Sequence, residues 1–155
     1  MPSFADSSYA FTNALQPVRR AWQRAAGSAL AASGLSASVA TAILLVSRLG
    51  DGVRQHVLAE EIGVNPAALV RTLDQAEDAR LLERRAVPGN RRVRAIFLLP
   101  EGKRLALEME GAVAALRETL LSDFSPADLE TATRVLRAFE ERARRHVEDE
   151  RAPPR

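Results

Sequence analysis

Residues 56–79 read HVLAEEIGVNPAALVRTLDQAEDA, and the fold turns on how this stretch divides. Residues 56–62 have the make-up of a short helix that stops at Gly63, a residue that enters a left-handed turn without a Cβ clash. After Val64, Asn65-Pro66 is a strong start signal. It pairs a side-chain N-cap with proline at the first helical position, where the N–H has no intrahelical partner anyway. From 66 to 79 the spacing gathers Leu69, Leu73 and Ala76 on one face and leaves Ala67, Ala68, Arg71, Thr72, Gln75 and Asp78 outward. Two short helices meeting at a glycine, with the small Ala59 four residues before it to allow close approach, match the helix-turn-helix arrangement. Many helical hairpins never touch DNA, so the flanks decide.

Downstream the period changes. Residues 82–86 and 93–98 are short β-compatible runs on either side of Pro88-Gly89-Asn90, which predicts a hairpin. Pro100 then opens a helix striped with Leu105, Met109, Val113 (or Ala112), Leu116 and Leu120. Ser125-Pro126-Ala127-Asp128 is a second cap-plus-proline start, with an acid in the first turn. The helix it opens carries Leu129, Val135 or Leu136, Phe139 and Ala143, and fades after His146. Residues 148–155, with two prolines, read as a disordered tail.

Upstream, Phe11, Leu15, Val18, Trp22, Ala25 and Leu30 recur at helical spacing within one long helix over 5–32. Pro17 inside it predicts a kink or a frayed first section, and Gly34 a C-terminal cap. Ser36 reads as the N-cap of a second helix with Val39, Ile43, Val46 and Leu49 on one face, stopped by Gly50-Asp51-Gly52. The order is helix, helix, helix-turn-helix, hairpin, helix, helix. The fold class is therefore mainly α with a small β-hairpin wing: a winged helix-turn-helix flanked by long terminal helices. It divides into an N-terminal dimerisation helix (1–34), the winged helix (35–99), C-terminal dimerisation helices (100–147) and the tail (148–155). The terminal helices carry more apolar face than so small a core can cover, and the simplest partner is a second copy of the chain.

Composition sets outer limits. The chain has 155 residues, enough for one domain with helical extensions, of which 46% are apolar and 27% charged, as in ordinary globular proteins. No segment approaches the roughly 18 to 20 uninterrupted apolar residues of a membrane span, so no membrane partner is expected. The first residues, MPSFADSSYAF, lack the basic and apolar regions of a signal peptide. Cysteine is absent, which removes disulfides and thiolate metal sites and fits a reducing, cytoplasmic compartment. The net charge is only +2, yet five arginines (Arg84, Arg85, Arg91, Arg92, Arg94) fall between 84 and 94 with no acid among them. Arginine suits bidentate phosphate and base-edge contacts.

At this point the sequence resembles the MarR family of dimeric winged-helix transcription regulators, over roughly residues 35 to 145. Gln55 and Leu58-Ala59-Glu60-Glu61-Ile62-Gly63-Val64 resemble the first helix of the family's helix-turn-helix, and Val70-Arg71-Thr72-Leu73-Asp74 its recognition helix. Leu81-Leu82-Glu83-Arg84-Arg85 is similar to the strand into the wing. Asn90-Arg91-Arg92 falls at the family's Asp-Arg-Arg signature, and Leu98-Leu99-Pro100-Glu101-Gly102 at its Leu-Thr-Pro-x-Gly. The chain departs from the pattern at Asn90, at Leu99, at Arg80 where glycine is frequent, and at Ala67 and Ala68 where Ser and Thr often contact DNA.

The resemblance implies a homodimer on double-stranded DNA, a repressor released from a pseudo-palindromic operator by a small aromatic or phenolic acid. It puts Arg92 in the minor groove, where a narrow groove concentrates negative potential, with Arg91 and Arg94 on phosphates. In the recognition helix Arg71 is the main candidate for base or phosphate contact. Asn65, Thr72 and Gln75 assist it, and Ala68 offers a methyl contact. The alternative for Arg71 is an ion pair with Asp74 or a bond to Gln75 on a solvated face. For a ligand, Trp22 offers a stacking ring and Arg19, Arg20 and Arg48 a carboxylate partner, although a lone tryptophan on an amphipathic helix is more often core or dimer interface. Catalysis has little support: the two histidines, His56 and His146, are far apart in sequence and there is no metal-ligand spacing such as His-Glu-x-x-His, so no enzyme activity and no cofactor are expected. The competing class is a winged-helix protein-interaction module without specific DNA binding.

Overall fold

A computed structural model of the chain describes residues 1–151; the side chains of Arg91 and Arg92 lie outside the described residues. Among the described residues there are six α-helices and a three-stranded sheet. These are α1 (Phe4–Leu30), α2 (Ala37–Leu49), β1 (Val53–Arg54), α3 (Gln55–Ile62), α4 (Pro66–Asp78), β2 (Leu82–Val87), β3 (Asn90–Leu98), α5 (Pro100–Leu121) and α6 (Pro126–Arg151). The described residues form two compact units, residues 1–116 and the segment from residue 117 onward.

In the first unit, α1 opens with a reciprocal cap. Ser3 Oγ accepts from the Asp6 N–H, and the Asp6 carboxylate accepts from the Ser3 N–H. Pro17 neither ends nor frays the helix, which runs unbroken through it. Proline withdraws one backbone bond, and both Pro17 and Asn13, whose carbonyl would have received it, are exposed to water that can take its place. A short 3₁₀ turn (Ala31–Ser33) and Gly34 lead to Ser36, whose Oγ caps α2 at Val39 N.

Helix α2 is the hub. Val39, Ala40, Ala42, Ile43, Leu44 and Val46 are all buried, so apolar contact surrounds it rather than following one stripe. Leu49, expected on the buried face, is exposed at the last turn. Around α2 pack Leu58 and Ala59 of α3, Leu69, Leu73 and Ala76 of α4, Leu82 and Ile96 of the sheet, and Leu105, Met109 and Val113 of α5. No polar side chain is buried among the described residues.

The wing is the antiparallel pair β2–β3, with Leu82 opposite Leu98 and Arg85 opposite Ala95. Pro88 and Gly89 alone make the turn, and Asn90, read from sequence as part of it, opens β3 opposite Val87. The ladder is irregular there: Ala86 faces Arg94 but Val87 faces Asn90, so residues 91–93 lie in a bulge. A third strand, β1, pairs with the other edge of β3 through Val53–Ile96 and Arg54–Ala95. Sequence periodicity missed it because two residues carry no period.

The second unit consists of the end of α5 and the 26-residue α6. Ser125 Oγ accepts from Asp128 N–H, so the expected cap forms. Helix α6 continues to Arg151, beyond the expected fade at His146 and into the segment read as a tail. The Arg145–Glu141 ion pair (2.6 Å) and the His146–Glu150 contact (3.4 Å) line this last stretch at helical spacing. The rest of the expected tail, 152–155, lies outside the described residues. No residue of α6 is buried, and Val135, Leu136, Phe139 and Val147 are exposed.

Candidate nucleic-acid interface and adjoining cavity

The turn between α3 and α4 follows from three residues. Gly63 adopts φ +76°, and its N–H donates to the carbonyls of Ala59 and Glu60, while the Val64 N–H also reaches Ala59. These bonds close α3 in the left-handed manner that glycine permits. Asn65 then starts α4, its Oδ1 accepting from Ala67 N–H at 2.8 Å. Asn65, expected as a DNA-contact helper, thus spends its side-chain oxygen on the cap.

Along α4, Leu69, Leu73 and Ala76 face the core, as the spacing predicts. The outward residues divide. Arg71 and Gln75 are exposed, and neither side chain has a hydrogen bond or ion pair among the described residues. The alternative pairing of Arg71 with Asp74 is absent, because Asp74 is held elsewhere: Arg84 Nη2 lies 2.5 Å from its Oδ1. Ala68 is exposed and Thr72 half-buried, and both line a cavity behind the helix. Thr72 therefore lies on a different side of α4 from Arg71.

Arg84 binds tightly to α4. Its backbone N–H donates to Glu77 Oε1 at 2.9 Å, and its Nε and Nη2 donate to Glu77 Oε2 at 3.0 and 2.6 Å. Partial burial works against the Glu77 charge, but the bonds from Arg84 outweigh it and hold the carboxyl below its usual range. Arg85 pairs with Glu83 and stacks 4.4 Å from the Phe97 ring centroid. Two of the five arginines in the 84–94 run are therefore structural. Arg94 is exposed with no ion pair among the described residues; the side chains of Arg91 and Arg92 are outside them.

Within the first unit, α1, α2, the helix-turn-helix turn and α4 border a half-open cavity of about 890 Å³. Arg19, Trp22 and Arg48, the sequence candidates for a ligand, all stand on its wall. Arg20 does not. Arg48 is engaged, with Nε and Nη2 at 2.8 and 2.7 Å from Glu110 Oε2. Nothing in the sequence marked Glu110, 62 residues away, as its partner. The share of the wall supplied by Ala68 and Thr72 was equally hidden, since a helical spacing shows which residues share a face but not what the face meets.

The fold and the exposed basic residues define a winged helix-turn-helix of the transcription-regulator type. Residues 33–93 match the model of the MarR family. That segment runs through α2, the helix-turn-helix and β2 into β3, and over it the chain is similar to the MarR family. The crystal structure of transcriptional regulator PA3341 is similar, at 28% identity over 87% of this chain and 98% of that one, TM-score 0.81. A mutant MarR from E. coli complexed with operator DNA matches at 17% identity over 89% and 99%, TM-score 0.71. CouR from Rhodococcus jostii RHA1, bound to p-coumaroyl-CoA, matches at 22% identity over 81% and 87%, TM-score 0.69. The last two show likeness of fold. No single helix among the described residues is long and apolar enough to cross a membrane.

Proposed function

We propose that this protein is a homodimeric, DNA-binding transcriptional repressor that reads a pseudo-palindromic operator and is released from it by a small aromatic acid held in the cavity. The observation that carries the reading is the outer face of α4. Arg71 and Gln75 stand exposed there with no partner among the described residues, while Arg84 neutralises the neighbouring Asp74 that would repel phosphate. The basic hairpin beside it supplies Arg91, Arg92 and Arg94 for the backbone and the minor groove. A similar fold is known on operator DNA, which supports this use of the face.

The dimer is supported by the apolar surface left over. Phe4, Val18 and Trp22 on α1 and Leu136 and Phe139 on α6 are exposed in the single chain. A two-fold dimer presents two recognition helices about 34 Å apart, one turn of B-DNA. The effector is supported by the cavity, whose volume of about 890 Å³ falls within the roughly 300–1,000 Å³ range of small-molecule sites. The aromatic Trp22 and the cationic Arg19 on its wall suit an aromatic acid. CouR carries an aromatic acyl thioester on a similar fold.

The test is a fluorescence-anisotropy titration with DNA from upstream of the protein's own gene. Specific binding that weakens steeply with salt is expected. Arg71→Ala and Arg92→Ala each reduce specific affinity by about tenfold or more, with dimerisation unchanged. Unaltered affinity in both variants, or no salt-sensitive binding at all, overturns the reading in favour of a winged helix that binds protein.

A further inference from the structure

We propose that Arg19 couples the cavity to the helix-turn-helix: it braces the turn at Gly63, and the negative group of a cavity ligand draws the same guanidinium away. This deepens, and rests on, the ligand-responsive reading above. The geometry begins at Gly63. A Cβ built there would stand 2.7 Å from Arg19 Nη2 and 3.7 Å from its Cζ, so the guanidinium of α1 occupies the space that only glycine leaves open. It lies against the residue whose N–H bonds to Ala59 and Glu60 close α3. Those bonds set the direction in which α4 leaves.

The charges on the cavity wall single out the same residue. The wall carries two cations, Arg19 and Arg48, and two acids, Glu60 and Glu61. Arg48 is already paired with Glu110. Arg19 has no hydrogen bond or ion pair among the described residues, so it is the cation open to an incoming anion. A carboxylate or sulfonate offers it a charge-assisted bidentate pair, stronger than packing on a glycine backbone. Glu60 and Glu61, beside the turn, disfavour a second negative charge. The ligand class is therefore an apolar body with one anionic group. Its body lies toward Trp22, Leu44 and Thr72, which line the same space. Binding removes the brace from Gly63 and leaves the turn held by its backbone bonds alone.

The test uses the full chain and two fluorescent probes of similar shape, anionic anilinonaphthalene sulfonate and neutral phenylnaphthylamine. Arg19→Gln lowers affinity for the sulfonate by about tenfold, the loss of one charge-assisted pair, and leaves the neutral probe unchanged. Arg19→Lys keeps the charge and retains most of the sulfonate affinity. Amide exchange at Gly63 and Val64 reads the turn directly. It is faster in ligand-free Arg19→Gln than in the wild-type chain, and saturating sulfonate raises wild-type exchange to the same level while the neutral probe does not. Equal sulfonate affinity in wild type and Arg19→Gln, or turn exchange unmoved by both the substitution and the sulfonate, overturns the coupling alone. Binding of neither probe overturns the cavity reading with it. No DNA enters these readouts, so failure here is distinct from failure of operator binding.

Discussion

At the scale of single residues, Arg80 stands out because it holds a backbone conformation that its side chain opposes. Its φ is +56°, the only positive value at a non-glycine among the described residues. The conformation is imposed by the end of α4: the Arg80 N–H reaches Glu77 O and the Leu81 N–H reaches Ala76 O, both at 2.9 Å, which reverses the chain into β2. Glycine takes this shape without a Cβ clash but starts from a freer unfolded chain, so the net gain is a fraction of the steric cost. Arg80→Gly should stabilise the protein by about 0.5–1 kcal/mol. A urea melt should show a higher midpoint at unchanged slope. The glycine frequent at this place in the family pattern thus has a physical reason, and the departure was readable from sequence. The fate of Asp74 was not. Its partner Arg84 comes from the next element, ten residues on, and no helical spacing points to it.

At the scale of elements, two contacts fix where α5 starts. A Cβ on Gly102 would fall 2.0 Å from the Leu81 carbonyl oxygen, so the first turn of α5 presses on the backbone ahead of β2. The same oxygen accepts the Leu99 N–H at 3.0 Å. Gly102→Ala should cost about 3 kcal/mol, because neither backbone can give way, and thermal melting should report it. The second contact is Asp51, which accepts Lys103 Nζ at 2.7 Å and the Leu98 N–H at 2.9 Å, tying the α2–β1 turn to β3 and α5. The bond from Lys103, then that from Leu98, holds the Asp51 carboxyl below its ordinary value. A carboxyl depressed in the folded state contributes stability above its unfolded pKa of about 3.9 and loses it as pH falls through the lower folded value. Asp51→Asn should therefore destabilise the protein at pH 7, and the gap between wild type and variant should close in melts taken at progressively acid pH. Helices were legible because caps and apolar spacing agree within one element, as at Ser36, Asn65-Pro66 and Ser125-Pro126. Strand β1 and the wing bulge were not, since both exist only through pairing with β3.

At the scale of the whole molecule, the proposed dimer makes stability depend on concentration. Folding and association are then linked, so the melting temperature should rise as the chain is concentrated. Leu136→Glu, on the exposed face of α6, should give a monomer by sedimentation and abolish that dependence while helicity in circular dichroism is retained. The cavity residues Arg19, Trp22 and Arg48 show how far a sequence reaches at this scale. They rested on residue chemistry and on family resemblance, and folding brings all three to one wall, yet it also gives Arg48 to Glu110 and adds residues of α4 that no periodicity could link to α1. That shared wall has an evolutionary consequence. Ala68 and Thr72 border the cavity, while Arg71 and Gln75, each three residues further along, occupy the open side of the same 13-residue helix. With the proposed ligand in the cavity, a mutation that retunes its fit at Ala68 or Thr72 would shift the seating of the proposed reading face as well. Under the proposed function, inducer range and operator sequence would then be inherited as one pleiotropic trait, and duplicated copies of such a gene would diverge in both together.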